Sequence, residues 1–203
     1  MNASSPRVPV LPPALPKRGG TVSRAFGRAL LALLGWRMEG NLPDVPKAVL
    51  IVAPHTSNWD FVIGIAAKLA LGLHASWLGK HTLFRGPFAG LMRRLGGIPV
   101  DRTRPQEVVS QTVSRFAASD QLVLGLSPEG TRKAVARWRS GFYHIANGAA
   151  VPIVPVALDW PSHRLIIGPP TQPTGNMAND LPALGAFFDP FRGRRGEVTP
   201  PPL

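Results

Sequence analysis

The sequence predicts a single α/β domain with a mainly parallel or mixed sheet flanked by helices. Short apolar runs alternate with segments of helical length along most of the chain, and such alternation favours strands that are connected through helices. At 203 residues, the chain is long enough to bury a sizeable core without a second domain. The sequence contains no internal repeat.

The individual elements follow from local composition. "KAVLIVAP", residues 47–54, is a continuous apolar run that ends at proline, which is typical of a strand buried on both faces. "DFVIGIAAKLALGL" follows it with helical length, and Asp60 lies at its start. Further apolar runs predict strands at 75–80, 96–102, 122–128, 151–158 and 164–168, and the segments between them predict helices near 60–73, 86–95, 105–118, 138–148 and 178–188.

The two ends of the chain differ from this pattern. Five prolines lie between Ser5 and Lys17, which prevents a continuous helical apolar segment and argues against a secretory signal. We therefore predict a flexible proline-rich arm over 1–20, the folded domain over 21–190 and a solvated basic tail over 191–203.

The segment 21–37, "TVSRAFGRALLALLGWR", predicts an amphipathic helix that begins the domain. Its apolar and basic positions separate at helical spacing, with Val22, Phe26, Leu30 and Leu33 on one face, Arg24 and Arg28 on another, and Trp36 at the end. This pattern resembles a helix that lies in a membrane interface, and its apolar part is too short to span a bilayer. A first helix docked on the core explains the pattern equally well.

Charge and cysteine content limit the classes of function. A net charge of +12, in a chain of which only 17% is charged, indicates a polyanionic partner: nucleic acid, an anionic lipid surface or a phosphorylated substrate. With aromatics at 7% and no recognition motif, we predict that the partner is not nucleic acid. Strongly salt-dependent affinity for duplex DNA or RNA would indicate the opposite. The absence of cysteine excludes thiolate catalysis, Cys-ligated zinc and disulfides.

His55 and Asp60 are the candidate catalytic residues. They flank the predicted turn from the strand at 47–54 into the following helix, where α/β folds often display reactive groups. An imidazole can take a proton near neutral pH, and a carboxylate on its other nitrogen fixes the tautomer and stabilises the imidazolium. The pair therefore has the chemistry of a general base, although the bare pattern is not specific.

Three further segments carry candidate functional groups where a strand meets a loop. "LGGIPVDR", 95–102, ends in Asp101 and Arg102, and "LSPEGTR", 126–132, presents Glu129 and Arg132 around a tight turn. An Arg guanidinium is a planar fork of donors that suits phosphate oxygens, although each Arg alone fits a solvated charge or salt bridge equally well. "GAAVPIVPVAL", 148–158, is apolar and predicts core and pocket wall.

In this order, the four segments resemble the motifs of the glycerolipid acyltransferase family, which includes the PlsC-like lysophosphatidate acyltransferases. "HTSNWD" resembles its H-x-x-x-x-D motif, "GGIPVDR" the second motif, "PEGTR" the third and "VPIVPV" the fourth. The resemblance extends from about Leu34 to Phe188. It implies a glycerol-3-phosphate acyltransferase-like fold.

The resemblance also implies roles for individual residues. His55 would deprotonate the hydroxyl of a lysophospholipid acceptor, with Asp60 as its orienting partner. Glu129, Gly130, Thr131 and Arg132 would shape the acceptor site, and Arg102 would contact the acceptor phosphate. The donor would be acyl-CoA or acyl carrier protein, and the enzyme would act as a peripheral protein at an anionic membrane surface on the cytoplasmic face. Such acyl transfer requires an activated oxygen nucleophile and no metal or cofactor.

Alternatives to the lysophosphatidate reading remain. Pro54, Ser127 and the His81-Thr82 pair depart from residues common in the family, which leaves open another lysolipid or an amino-lipid as acceptor. Ser57 suggests a Ser-His hydrolase, but the sequence has no G-x-S-x-G elbow. A metal site at His55 and Asp60 would require a third ligand, and no other histidine has the appropriate spacing. A non-catalytic lipid-binding relative is the main alternative to an enzyme.

Overall fold

The computed structural model describes residues 8–101, 103–130 and 135–202. The strands are β1 (Arg37–Glu39), β2 (Lys47–Ala53), β3 (Ala75–Lys80), β4 (Gly97–Val100), β5 (Leu122–Leu126), β6 (Ile153–Asp159) and β7 (Arg164–Ile167). The helices are α1 (Thr21–Leu33), α2 (Asn58–Leu71), α3 (Ala89–Arg94), α4 (Pro105–Ala117), α5 (Gly141–Gly148) and α6 (Met177–Phe188), with a 3₁₀ turn at His81–Phe84. The predicted fold class is confirmed.

The strands form one mixed sheet in the order β1-β7-β6-β2-β5-β3-β4. The five strands from β6 to β4 are mutually parallel, whereas β7 pairs antiparallel with β6, and β1 runs parallel to β7. The carboxyl ends of β2, β5 and β6 therefore lie at one edge of the sheet, which we call the carboxyl edge. The amino ends of the five parallel strands lie at the opposite edge, which we call the amino edge.

Alternating side chains of the central strands pack into two apolar layers. From β2, Val49 and Ile51 face the layer formed with α5 and α6, and Leu50 faces the layer formed with α1 and α2. A strand covered on both faces is expected to be continuously apolar, which explains why this run was recognisable in the sequence.

Helix α1 combines both interpretations of the segment 21–37. Gly27 lies against α2 so closely that an added Cβ would come within 2.4 Å of the Ala70 backbone nitrogen, and Leu31 is buried in the same contact. The opposite face exposes Val22, Phe26 and Leu33 to solvent, at 85%, 60% and 82% of their surface. The helix is therefore docked on the core and still presents an apolar face.

The segment 21–37 was predicted to be helical throughout, but only part of it is. Helix α1 ends at Leu33, Gly35 takes a left-handed φ of +74°, and Arg37 already belongs to the edge strand β1, which the sequence analysis missed. Trp36 is buried against Trp160 and His163 and is unavailable to a membrane. Among the described residues, no helix combines the length and apolarity needed to cross a bilayer.

Single residues within both the predicted arm and the predicted tail pack on the domain. Leu15 is buried in the layer that contains α1 and α2, and the Arg18 N–H donates to the Gly72 carbonyl at 2.8 Å. At the other end, Phe191 packs against the opposite layer, and the Trp138 N–H donates to the Pro201 carbonyl at 3.2 Å. Proline removes one backbone donor but does not prevent burial of its neighbours.

Candidate active site

His55 lies in the turn between β2 and α2, at the carboxyl edge of the sheet. Helix α2 begins with a capping box, in which the Ser57 hydroxyl accepts the Trp59 N–H at 3.2 Å and the Asp60 carboxylate accepts the Ser57 N–H at 2.6 Å. These bonds fix the turn at the first residues of the helix. The capping contact gives the Ser57 hydroxyl a structural role in place of the nucleophilic role considered above.

The Asp60 carboxylate is fully buried and accepts hydrogen bonds at both oxygens. Its Oδ2 accepts the Thr56 N–H at 2.8 Å as well as that of Ser57, and its Oδ1 accepts the Trp160 indole N–H at 2.7 Å. Three N–H donors therefore compensate for the burial of the charge. They also leave the carboxylate a single orientation.

The His55 imidazole faces this carboxylate, as the sequence analysis predicted. Its Nδ1 lies 3.6 Å from Asp60 Oδ2, and the ring is 23% exposed. This separation is longer than a hydrogen bond, and catalytic pairs often tighten from such distances when substrate binds. A buried, oriented carboxylate beside a half-buried imidazole is an arrangement that can stabilise an imidazolium.

Glu129 connects the turn after β5 to the histidine turn. Both of its carboxylate oxygens lie 3.1 Å from the His55 backbone nitrogen and accept its N–H. Burial raises the pKa of Glu129 to about 7, while the His55 N–H opposes this effect and the negative charges of Asp60 and Glu197 add to it. The carboxylate therefore holds two motif turns together, and its predicted role in acceptor binding remains a prediction.

Gly130 completes the turn that positions Glu129. Its N–H donates to the Ser127 carbonyl at 3.0 Å, and its φ of +67° lies in the left-handed region that favours glycine. The Arg139 side chain packs over it, within 2.6 Å of where a Cβ would lie. A side chain at this position would therefore displace both the turn and Arg139.

No site for a metal is evident in the described part of the chain. Within residues 8–101, 103–130 and 135–202, no group of three or more His, Asp or Glu side chains is arranged to hold a metal ion.

Comparison with known proteins identifies the family. The model of the family described as Acyltransferase matches residues 37–159, more than half of the chain. The chain belongs to the acyltransferase family. The matched range contains His55, Asp60 and Glu129, and it extends from β1 to the end of β6.

Two relatives with similar sequences come from bacteria. The 1-acyl-sn-glycerol-3-phosphate acyltransferase of Haemophilus influenzae is 31% identical over 151 residues, which cover 70% of this chain and 61% of the relative. The enzyme of the same name from Escherichia coli is 28% identical over 163 residues, covering 75% and 64%. The chain thus spans less than two thirds of the length of either relative.

A solved structure shows the same fold. The crystal structure of the 1-acyl-sn-glycerophosphate (LPA) acyltransferase PlsC from Thermotoga maritima aligns with a TM-score of 0.55 at 18% identity, over 76% of this chain and 69% of that one. The mixed seven-stranded sheet is therefore an acyltransferase-family architecture.

Three of the predicted acceptor-site residues, Arg102, Thr131 and Arg132, lie outside the described residues. Their assignment to an acceptor site remains a prediction from the resemblance. The described neighbours Asp101 and Gly130 follow the ends of β4 and β5, at the carboxyl edge.

Two residues at the candidate site were missed by the sequence analysis. Trp160 follows β6 directly and donates to Asp60, and the Arg194 guanidinium lies 5.4 Å from the centre of the Trp160 ring and 5.5 Å from that of Trp59. The position of Trp160 just after the predicted strand at 151–158 was a usable signal, because functional groups collect at such ends. Arg194 had no local signal, because it lies in the segment predicted to be a solvated tail.

Proposed function

We propose that this chain is an enzyme that transfers a fatty acyl group from a thioester, acyl-CoA or acyl carrier protein, to the hydroxyl of a lysophospholipid. The proposed acceptor is lysophosphatidate, 1-acyl-glycerol-3-phosphate, and the product is phosphatidate. The observation that carries the proposal is the His55–Asp60 pair, in which a buried carboxylate held by three donors faces Nδ1 of a half-buried imidazole.

The proposed chemistry requires only this pair and the two substrates. With Asp60 on the Nδ1 side, Nε2 accepts the proton as the acceptor oxygen attacks the thioester carbonyl. The carbon–sulfur bond then breaks, and the imidazolium returns the proton to the leaving thiolate. One ester and one free thiol form, and Asp60 stabilises the positive charge that His55 carries between the two proton transfers.

Three considerations support lysophosphatidate as the acceptor. The two bacterial relatives are named as 1-acyl-sn-glycerol-3-phosphate acyltransferases, and the net charge of +12 suits an anionic substrate. Arg102 and Arg132 end the second and third motifs of the resemblance. Two guanidinium groups suit the phosphomonoester of lysophosphatidate better than they suit an uncharged monoacylglycerol, another lysolipid or an amino-lipid.

The acceptor is tested by truncating the two arginines. We expect Arg102→Ala or Arg132→Ala to lower the ratio of kcat/KM for lysophosphatidate over monoacylglycerol by about tenfold or more. Charge-assisted bonds to phosphate exceed the ~1 kcal/mol of neutral ones, and tenfold corresponds to about 1.4 kcal/mol of lost differential binding. The measurement is acceptor-dependent release of free thiol.

Arg104→Ala is the matched control, because Arg104 is two positions from Arg102 and its exposed side chain pairs only with Glu107 among the residues described. It should leave the ratio unchanged. Lysine at Arg102 or Arg132 should rescue only in part, since an ammonium keeps the charge but loses the planar fork. A constant ratio with uniformly reduced activity in both alanine variants would exclude these arginines as readers of the phosphate.

The same enzyme is proposed to act as a peripheral protein on the cytoplasmic face of the membrane, through α1. The exposed apolar face of Val22, Phe26 and Leu33 is accompanied by the exposed basic residue Arg28. Apolar side chains inserted at an interface and basic residues near an anionic surface both favour binding, the latter by about 1 kcal/mol each.

Deleting the first 37 residues would not test membrane binding, because Leu15, Leu31 and Trp36 are part of the core. We instead expect the triple variant Val22→Gln, Phe26→Gln, Leu33→Gln to lower the partition coefficient onto anionic vesicles by about tenfold or more. Each glutamine gains less free energy than the apolar side chain it replaces when it moves from water into the membrane interface. Val198→Gln, a change at an exposed apolar residue of the tail, is the control for cosedimentation. Equal binding by the triple variant would exclude α1 as the membrane contact.

A further inference from the structure

A polar cavity lies at the amino edge of the sheet. It is open to solvent, has a volume of about 340 Å³ and is lined by the amino ends of β3, β4 and β5 and the carboxyl end of α4. The side chains with hydrogen-bonding groups that line it are Arg18, His74, Ser76, Arg93, Arg115 and Ser119. Among its described lining residues, none carries a carboxylate.

This cavity is separate from the site at His55. Leu122 lines it at the start of β5, whereas Glu129 follows the far end of that strand. Five strand residues at roughly 3.3 Å each place the two edges about 16 Å apart. A small group in one cannot contact the other.

The basic residues around the cavity carry more positive charge than is needed to complement the partial negative charges at the ends of the neighbouring helices. Helices α2, α3 and α4 end at this edge, and basic residues commonly complement the partial negative charge, about −0.5, at such an end. The three ends thus provide about one and a half negative charges. The five basic residues at the cavity and in the last turns of these helices are Arg18, Lys68, Arg93, Arg94 and Arg115.

The charges of Arg18 and Lys68 act on each other and on His74. Arg18 Nη1 donates a hydrogen bond to His74 Nε2 at 3.2 Å. Burial and then Arg18 lower the pKa of Lys68 to about 8, and burial, Arg18 and Lys68 lower the pKa of His74. Lys68 is held in place by the carbonyls of Ala75 and Leu95, at 2.6 and 2.8 Å. An anion between these groups would relieve their repulsion.

We propose that this cavity binds a phosphate group, at a site distinct from the catalytic centre and from the predicted acceptor site. Three arginines suit the oxygens of a phosphate because each guanidinium is a planar fork of donors, and Ser76 and Ser119 add hydroxyl groups. The shared chemistry is a phosphate with two ionisable oxygens, which inorganic phosphate and the phosphomonoester headgroup of a lipid both provide.

The first test measures binding of inorganic phosphate by calorimetry, in phosphate-free buffer and without any acyl donor. We expect saturable binding to the full chain and an increase in Kd of about tenfold or more in the double variant Arg18→Gln, Arg115→Gln. Arg37→Gln is the control, because it removes one charge from β1, the outermost strand on the side of the sheet away from β3 and β4. It should leave Kd unchanged. Thermal unfolding in the same buffer verifies that each variant is folded. If the double variant is not folded, the single variant Arg115→Gln is measured in its place.

The second test distinguishes the source of the phosphate. Phosphatidylcholine vesicles carry either phosphatidate, a phosphomonoester, or an equal charge of phosphatidylglycerol, a phosphodiester. If the ligand is a lipid headgroup, phosphatidate should increase binding more than phosphatidylglycerol does, and Arg18→Gln, Arg115→Gln should remove the difference. Binding of inorganic phosphate without this preference identifies a soluble phosphate as the ligand.

Several results would overturn the proposal. One is the absence of saturable binding to both inorganic phosphate and phosphatidate vesicles. Another is equal weakening by Arg37→Gln, which would indicate a general effect of net charge. A third is phosphate binding that Arg102→Gln and Arg132→Gln abolish but the double variant does not, which would assign the anion to the acceptor site. Because thiol release is not measured, failure here leaves the proposed acyltransferase activity untouched.

Discussion

Replacing His55 with alanine is expected to lower kcat for acyl transfer by about 10²–10⁴-fold or more, the usual contribution of a general base. The fold should survive, because it is the His55 backbone N–H, not the ring, that bonds to Glu129, and the ring is partly exposed. The measurement is acceptor-dependent release of free thiol by purified protein, with lysophosphatidate as acceptor.

His144→Ala is the matched control for His55→Ala. His144 is an exposed histidine on α5, and its loss should leave thiol release near that of the unmodified chain. The pattern of release also separates enzyme classes, since a hydrolase would release thiol without an acceptor. Near-normal turnover by folded His55→Ala would refute the general-base mechanism, and no turnover by the unmodified chain with any acceptor would favour the non-catalytic alternative.

The sheet was predictable because its central strands are buried on both faces. A run such as residues 48–54 remains apolar throughout, and the helices between the runs are long enough to detect by composition. Strand β1 was missed because it has only three residues, Arg37–Glu39, with a charged residue at each end. Its place beside β7 depends on pairing with residues more than 120 positions later in the chain, which no local pattern encodes.

The proximity of His55 and Asp60 was predictable, whereas the contacts that support them were not. His55 and Asp60 share one turn, so their proximity follows from local sequence. Trp160 reaches Asp60 from 100 residues away, and Glu129 reaches the His55 N–H from 74 residues away. Such contacts depend on which strands are neighbours at the carboxyl edge, and strand order follows from the tertiary fold.

The ends of the chain were assigned by composition, and composition was a poor guide there. Proline content suggested an arm, but Leu15 is buried in the apolar layer that contains α1 and α2. Arginine content suggested a solvated tail, and Arg194 is exposed, yet its guanidinium also lies over two tryptophans at the candidate site. In both segments, a few apolar or planar side chains determine the docking, and their effect is lost in an average over the segment.

Asp60→Asn is expected to reduce kcat by about 10²-fold or more, even though the substitution is nearly isosteric. A carboxylate accepts at both oxygens, whereas an amide accepts at one and donates at the other. If the amide oxygen faces the N–H groups of Thr56 and Ser57, the amide NH₂ faces the Trp160 N–H, and two donors oppose each other. If the amide is flipped, its NH₂ points at the two backbone donors and towards His55 Nδ1, where it favours the wrong tautomer for a base at Nε2.

The two amide orientations respond differently to a second substitution at Trp160, which makes the prediction specific. Trp160→Phe removes the opposing donor, so adding it to Asp60→Asn should recover stability, measured as Tm, without recovering kcat, because the charge that stabilises the imidazolium is still absent. Asp180→Asn is the matched control: this buried carboxylate accepts from Tyr143 and Thr174 on α5 and the segment before α6, and its loss should lower Tm with little effect on kcat. Full activity in folded Asp60→Asn would show that Asp60 only caps α2, and catalysis by His55 would then require another source of orientation.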